Sequence, residues 1–176
     1  MLQRWSARVQ ALIEKAETDP SLSGMGTTMT LACSLGKELI IAHSGDSRAY
    51  LFRQGLLQPL THDQTMAQSL ADAGAIRPEE VATHPMRHVL TGAIATRGGK
   101  TPTELHQLGL IDGDQILLCT DGLVGMVADS AIAEALEVPG PAADTCRVLV
   151  DLALEGGGKD NVTVVLGRYR IPELTE

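Results

Sequence analysis

Three aspartates are expected at comparable places, each just past a strand and beside a glycine or a small polar residue: Asp46 in Gly45-Asp46-Ser47-Arg48, Asp121 in Thr120-Asp121-Gly122, and Asp160 in Lys159-Asp160-Asn161. Taken singly, an aspartate in such a place does ordinary turn chemistry, its carboxylate accepting nearby backbone N–H groups. Taken together, carboxylates at strand ends can converge on one cleft. Hard oxygen donors of that kind hold Mg2+ or Mn2+ while leaving several waters on the ion.

Competing chemistries lack their residues. Gly156-Gly157-Gly158-Lys159 has the outline of a phosphate-binding loop, but a Walker motif needs Ser or Thr after the lysine and then a helix, whereas Asp160 and a predicted strand follow here. Cys119-Thr120-Asp121-Gly122-Leu123 has the outline of an aspartyl-phosphate phosphatase, but the nucleophilic Asp two residues upstream is replaced by Cys119. His43, His62, His84, His88 and His106 show no zinc-like spacing; His84 and His88 flank Pro85 and cannot share a regular helical face, so surface or loop roles are expected. No Gly-x-Ser-x-Gly elbow is present. Cys33, Cys119 and Cys146 are far apart and odd in number, which suggests neither a disulfide framework nor a cysteine zinc site and fits a reducing cytoplasm.

The formal net charge of -8 and the presence of only four aromatic residues, Trp5, Tyr50, Phe52 and Tyr169, oppose nucleic-acid binding. With 44% apolar residues and a mean hydropathy of +0.06, the 176 residues form one soluble globular domain. No apolar run approaches the ~20 residues that span a bilayer, and charges run through residues 1–20 where a signal peptide would be apolar. A cytoplasmic protein without membrane contact is expected.

Positioning elements follow from periodicity. Leu2, Trp5, Val9, Leu12, Ile13 and Ala16 make one helical stripe over residues 1–18, ended by Asp19-Pro20. Alternation from Thr28 to Ala42 around Gly36-Lys37 predicts a hairpin, and Ala49–Phe52 with Leu56-Leu57 across Gln54-Gly55 predicts a second. Asp63 is expected to cap a short helix carrying Met66 and Leu70 and ending near Gly74. Residues 75–100 read as a mobile, loop-rich insertion, and Gln115–Cys119 as a buried strand. Two helices follow, one from Asp129 or Ser130 with Ile132 and Leu136, the other from Pro141 to Glu155 with Cys146, Leu149, Val150 and Ala153 facing inward. Val162–Leu166 is the last predicted strand. The order gives an α+β fold with mostly antiparallel pairing.

The motifs in sequence are Gly24-Met25-Gly26-Thr27-Thr28, Gly45-Asp46-Ser47-Arg48-Ala49-Tyr50, Leu60-Thr61-His62-Asp63, Val89-Leu90-Thr91, Gly113-Asp114-Gln115, Leu117-Leu118-Cys119-Thr120-Asp121-Gly122-Leu123 and Gly157-Gly158-Lys159-Asp160-Asn161-Val162-Thr163. In this order they closely resemble the bacterial branch of the metal-dependent PP2C-type (PPM) Ser/Thr protein phosphatases, from about Leu2 to Tyr169. The resemblance implies a PP2C-like β-sandwich of two antiparallel sheets flanked by helices, in α/β/β/α layers, with a two-metal Mn2+ or Mg2+ site at one end. A metal-bridging water would attack phosphorus without a phosphoenzyme, since cations lower its pKa and neutralise the phosphoryl oxygens. By motif match Asp121 and Asp160 would hold a core metal, Asp46 with Asp121 a third metal, and Gly122 and Asn161 would support them. Residues 64–96 would be the flap beside the cleft. Implied partners are phosphorylated Ser/Thr protein substrates, with a Ser/Thr kinase as counterpart.

Departures from the family pattern bear on activity. The opening strand with its phosphate-gripping Arg, the Asn-Glu-Asp segment and the Asp-Gly-Met-Gly-Gly segment with its bridging Asp are not found, so residues 1–176 correspond to the C-terminal portion of one such domain, N-terminally incomplete. The usual Leu-Thr-Arg-Ala-Leu-Gly is Leu90-Thr91-Gly92-Ala93-Ile94-Ala95. Fewer ligands should weaken a dinuclear centre, and missing strands should leave apolar sheet edges uncovered. The alternative is a non-catalytic, phosphatase-like module that binds a phosphoprotein or a partner domain.

Overall fold

The computed structural model describes residues 25–95 and 103–171, with Lys15, Thr18, Asp19 and Ser21. The helix expected over residues 1–18, Trp5 included, lies mostly outside the described residues, as does Gly24. After the short strand β1 (Gly26–Thr27), the alternating segment forms β2 (Met29–Leu35) and turns at Gly36-Lys37 into β3 (Glu38–Ser44). The second hairpin joins β4 (Arg48–Arg53) to β5 (Leu56–Pro59). Its turn residues Gln54 and Gly55 take φ of 52° and 78°, the conformation that follows the natural strand twist.

The remaining elements are α1 (Met66–Asp72), a 3-10 turn (Pro78–Thr83), β6 (Ile94–Ala95), β7 (Glu104–Gly109) and β8 (Gln115–Cys119). They are followed by α2 (Asp121–Val124), α3 (Asp129–Glu137), α4 (Ala142–Glu155) and β9 (Val164–Arg168). Pairing is antiparallel throughout, in a three-stranded sheet β2-β3-β7, a four-stranded sheet β5-β4-β8-β9 and a ribbon β1-β6.

Period-two alternation sorts the core into two layers. Ala49, Leu51 and Ile116 pack with Leu39 and Ile41 between the two sheets. Tyr50, Phe52, Leu117 and Cys119 face the other way, against Leu123, Ile132, Leu136, Leu149 and Ala153 of the helices. Full burial of a side chain such as Leu117 contributes about 1.5–3 kcal/mol. The described layers are therefore sheet, sheet and helices, as expected for a PP2C-like sandwich. Between the sheets an apolar groove of about 290 Å³ stays open, lined by Ala32, Leu39, Leu110, Ile116, Leu118 and Val165 among others. No helix among the described residues is long and apolar enough to cross a membrane.

Several elements differ from the expectation. Thr65, whose hydroxyl accepts the Gln68 N–H at 3.2 Å, caps α1 in place of Asp63. Asp63 is instead claimed by Arg48, through two hydrogen bonds of 2.8 Å. β7 was not foreseen, because Glu104, His106 and Gln107 break any apolar alternation on this edge strand. β9 starts two residues later than predicted, and in α4 Leu149 and Ala153 are buried while Cys146 and Val150 are only partly so. The insertion after residue 75 is anchored through its described part: Met66 N–H donates to the Val89 carbonyl at 2.7 Å and Thr91 N–H to the Gln64 carbonyl at 2.8 Å.

Two buried polar contacts fasten the sheets. Arg53 donates to both carboxylate oxygens of Asp114, at 2.8 and 2.7 Å, and to the Gly109 carbonyl at 2.8 Å. Asp114 is only 1% exposed, so its charge depends on that partner. His43, expected at the surface, is fully buried on β3, with Nε2 3.2 Å from the His62 carbonyl and Nδ1 2.9 Å from the Thr30 hydroxyl. Loss of hydration holds its pKa below the usual 6.5, although Glu104 and Asp63 pull the other way. A base whose proton is disfavoured in the fold binds protons better when unfolded, so stability should fall as pH drops below 6.5. The slope cannot exceed about 1.4 kcal/mol per pH unit for one proton. Urea melts from pH 8 to pH 5 should show that slope in the wild type and a flatter one in His43→Gln; equal slopes would assign it to other groups.

Candidate active-site cleft

At one end of the sandwich a cleft of about 310 Å³ lies between the strand-end loops and the flap. Its floor is set by two glycines. Gly45, between β3 and β4, has φ +118°, and a Cβ there would stand 2.3 Å from Cγ2 of Thr28, so only glycine lets the chain reverse and present Asp46. Gln64 clamps this loop from both sides: its amide oxygen accepts the Gly45 N–H at 3.0 Å, and its own N–H donates to the Gly45 carbonyl at 2.8 Å.

Asp121 opens α2 directly after β8. Its loop is stitched to that of Asp160 by Thr120, whose hydroxyl accepts the Thr163 N–H at 3.0 Å and donates to the Asn161 carbonyl at 3.2 Å. Gly122 lies so close beneath Asn161 that an added Cβ would be 2.4 Å from its carbonyl oxygen. Gly122 and Asn161 thus hold two aspartate-bearing loops together by contact.

Asp46, Asp121 and Asp160 all line this one cleft. Burial, and then repulsion from Asp121 and Asp63, pushes the Asp46 carboxyl above the usual carboxylate range. Asp160 sits on the exposed rim, where its carboxylate accepts the Asn161 N–H at 2.7 Å. Among the described residues no group of three or more His, Cys, Asp or Glu comes close enough to hold a metal ion. The hard donors available to a cation are therefore the Asp46–Asp121 pair, with Asp160 at the rim.

Four further charged groups line the cleft: Arg48, Asp63, Arg87 and Lys159. Arg48 is bound to Asp63 and also donates to the Tyr50 hydroxyl at 3.0 Å, which keeps its guanidinium charged and occupied. His88, expected in a surface or loop role, reaches the cleft from the flap, with Nδ1 3.7 Å from a carboxylate oxygen of Asp121. Val81, Ala82, Val124 and Met126 supply apolar wall. The sequence signal for His88 and Arg87 was their position inside the flap segment, which spacing rules alone did not weigh.

The missing flap arginine has a local reason. Gly92 is buried, and a Cβ on it would meet the Gln64 amide oxygen at 1.8 Å. A side chain at position 92 would require the Gln64 side chain, which clamps Gly45, to move aside.

A family model for Protein phosphatase 2C matches residues 4–70. The serine/threonine protein phosphatase PstP of Mycobacterium tuberculosis is 44% identical over 156 residues, which make 89% of this chain and 30% of that protein. The crystal structure of the Mycobacterium tuberculosis phosphatase PstP/Ppp superposes with a TM-score of 0.86 at 41% identity, covering 93% of this chain and 68% of that one. The PstP catalytic domain in complex with two manganese ions gives a TM-score of 0.78 at 41% identity, covering 90% of this chain and 65% of that one. The chain thus spans 30% of the curated relative's length and about two thirds of the solved chains.

Proposed function

The chain belongs to the PP2C family of protein phosphatases, and on that premise we propose that its cleft hydrolyses phosphoserine and phosphothreonine esters on protein substrates. The observation that carries this reading is the delivery of three aspartates, from three separate loops, to one cleft. Asp46 and Asp121 repel each other across it, and a hard divalent cation such as Mn2+ or Mg2+ would relieve that repulsion. Asp46 and Asp121 would hold one such cation, with water completing its shell; no third carboxylate among the described residues joins them to support a second. When bound, the cation supplies an activated water and neutralises phosphoryl oxygens.

The chain's own residues would orient the reaction. Arg48 fixes Asp63 and leaves Asp46 free for the cation, while Gln64 keeps the Asp46 loop from opening. We take residues 1–176 to correspond to the C-terminal portion of a PP2C-type domain. A cytoplasmic site of action, opposite a Ser/Thr kinase and away from nucleic acid and membrane, fits the acidic composition and the reduced cysteines.

Phosphate release from p-nitrophenyl phosphate and from a phosphothreonine peptide, with ~10 mM Mn2+ or with EDTA, tests the reading. Release that needs Mn2+ is expected. The same rate in EDTA would exclude metal-dependent hydrolysis, and phosphopeptide binding with no release would identify a binding module.

A further inference from the structure

A phosphate dianion entering this cleft meets four carboxylates, those of Asp46, Asp63, Asp121 and Asp160. Arg48 is held by Asp63, and His88 lies against Asp121. Two cations remain. Arg87 and Lys159 line the cleft and make no ion pair or side-chain hydrogen bond with any other described residue.

We propose that Arg87 and Lys159 form the phosphoryl-binding pair of this cleft, gripping the phosphate of a phosphoserine or phosphothreonine side chain. The inference rests on the phosphatase reading and adds the residues that recognise the substrate. Both are positioned by their backbone surroundings. Arg87 N–H donates to the His84 carbonyl at 3.1 Å, and two residues later Val89 is tied to Met66, so the flap places Arg87 at a fixed height over the cleft. Lys159 follows the three glycines Gly156, Gly157 and Gly158, of which the last two have φ of 123° and 52°. A Cβ on Gly157 would stand 3.9 Å both from Cε of Lys159 and from Sδ of Met126, so the lysine stem and Met126 both flank the Gly157 backbone at van der Waals distance. The glycine run that fails as a Walker loop thus delivers a lysine to the lining of the cleft. A planar guanidinium and a compact ammonium together can satisfy several phosphoryl oxygens, the first through paired N–H groups and the second as a point charge.

The test is fluorescence anisotropy of a labelled phosphothreonine peptide and its unphosphorylated twin on the full chain, run beside the hydrolysis assay. Wild type should prefer the phosphorylated peptide. Arg87→Ala and Lys159→Ala should each weaken it about tenfold, the worth of one charge-assisted hydrogen bond, and the double variant should bind the two peptides alike. Arg87→Lys should recover part of the loss, and Arg147→Ala, a basic change elsewhere on the surface, should show none. Unchanged melting temperatures would exclude misfolding. Phosphopeptide preference retained in the double variant would overturn the pair while leaving hydrolysis standing. Preference lost there in a chain that never hydrolyses would support the pair and remove the phosphatase reading.

Discussion

Hydrolysis of a phosphothreonine peptide by Asp121→Asn is expected to fall by at least about 100-fold at saturating Mn2+. Changes to groups that merely orient metal ligands cost about 10–100-fold, and on the proposed reading Asp121 would be a ligand itself. A thermodynamic signature should accompany the loss. In wild type ~10 mM Mn2+ should stabilise the fold by about 1 kcal/mol, a rise of roughly 2–4 °C in melting temperature, because a weak site binds only the native state. In Asp121→Asn that rise should vanish. Without metal the order should reverse, with the variant melting higher, because it removes a charge that repels Asp46. Misfolding cannot produce a gain without metal and a loss with it. Calorimetric melts at matched ionic strength decide the matter: an equal Mn2+ shift in both proteins would remove Asp121 from any metal site.

The parts of this architecture that could be read from the residues are those fixed locally. Alternation on either side of Gly36-Lys37 and of Gln54-Gly55 gives both hairpins, because the turn conformation and the side-chain period are encoded within a dozen residues. The placement of Asp46 and Asp121 on one cleft was foreseeable because each follows an apolar strand pattern, whereas Asp160, expected past a strand, stands between α4 and β9 and shares the cleft from there. What could not be read depends on partners far along the chain. Asp63 has the spacing of a helix cap, but Arg48, fifteen residues away, binds it bidentately and the cap passes to Thr65. His43 is polar in a strand, and only the Thr30 hydroxyl and His62 carbonyl make its burial tolerable. β7 pairs with β3 through its backbone and a Gln107–Glu38 side-chain hydrogen bond, while its side chains, Leu105 included, are mostly exposed, so periodicity carries no sign of it. His88 enters the cleft because the flap is pinned back by Met66 and Val89, a contact no local pattern announces.

Gly122→Ala should be among the most destabilising single substitutions in the cleft, at about 2–3 kcal/mol, or roughly 5–10 °C in melting temperature. The backbone of Gly122 is not in the left-handed region, so the cost is one of space. A Cβ there would stand 2.4 Å from the Asn161 carbonyl oxygen, 3.0 Å from its carbon and 3.4 Å from Cγ2 of Val162. Backbone atoms cannot swing aside as a flexible side chain can. The clash must lift the Asp160-Asn161 segment, which the Thr120 hydroxyl holds down at Asn161 and Thr163. Lifting it carries Asp160 away from Asp121, so the Mn2+ shift in melting temperature should shrink along with the basal stability. Gly109→Ala is the matched control: its added Cβ meets nothing within 4 Å, and it should leave both quantities unchanged. Calorimetry on the two variants separates steric coupling from a general intolerance of alanine. If Gly122→Ala melts within about 1 °C of wild type, the Gly122–Asn161 contact does not set the spacing of the two aspartates.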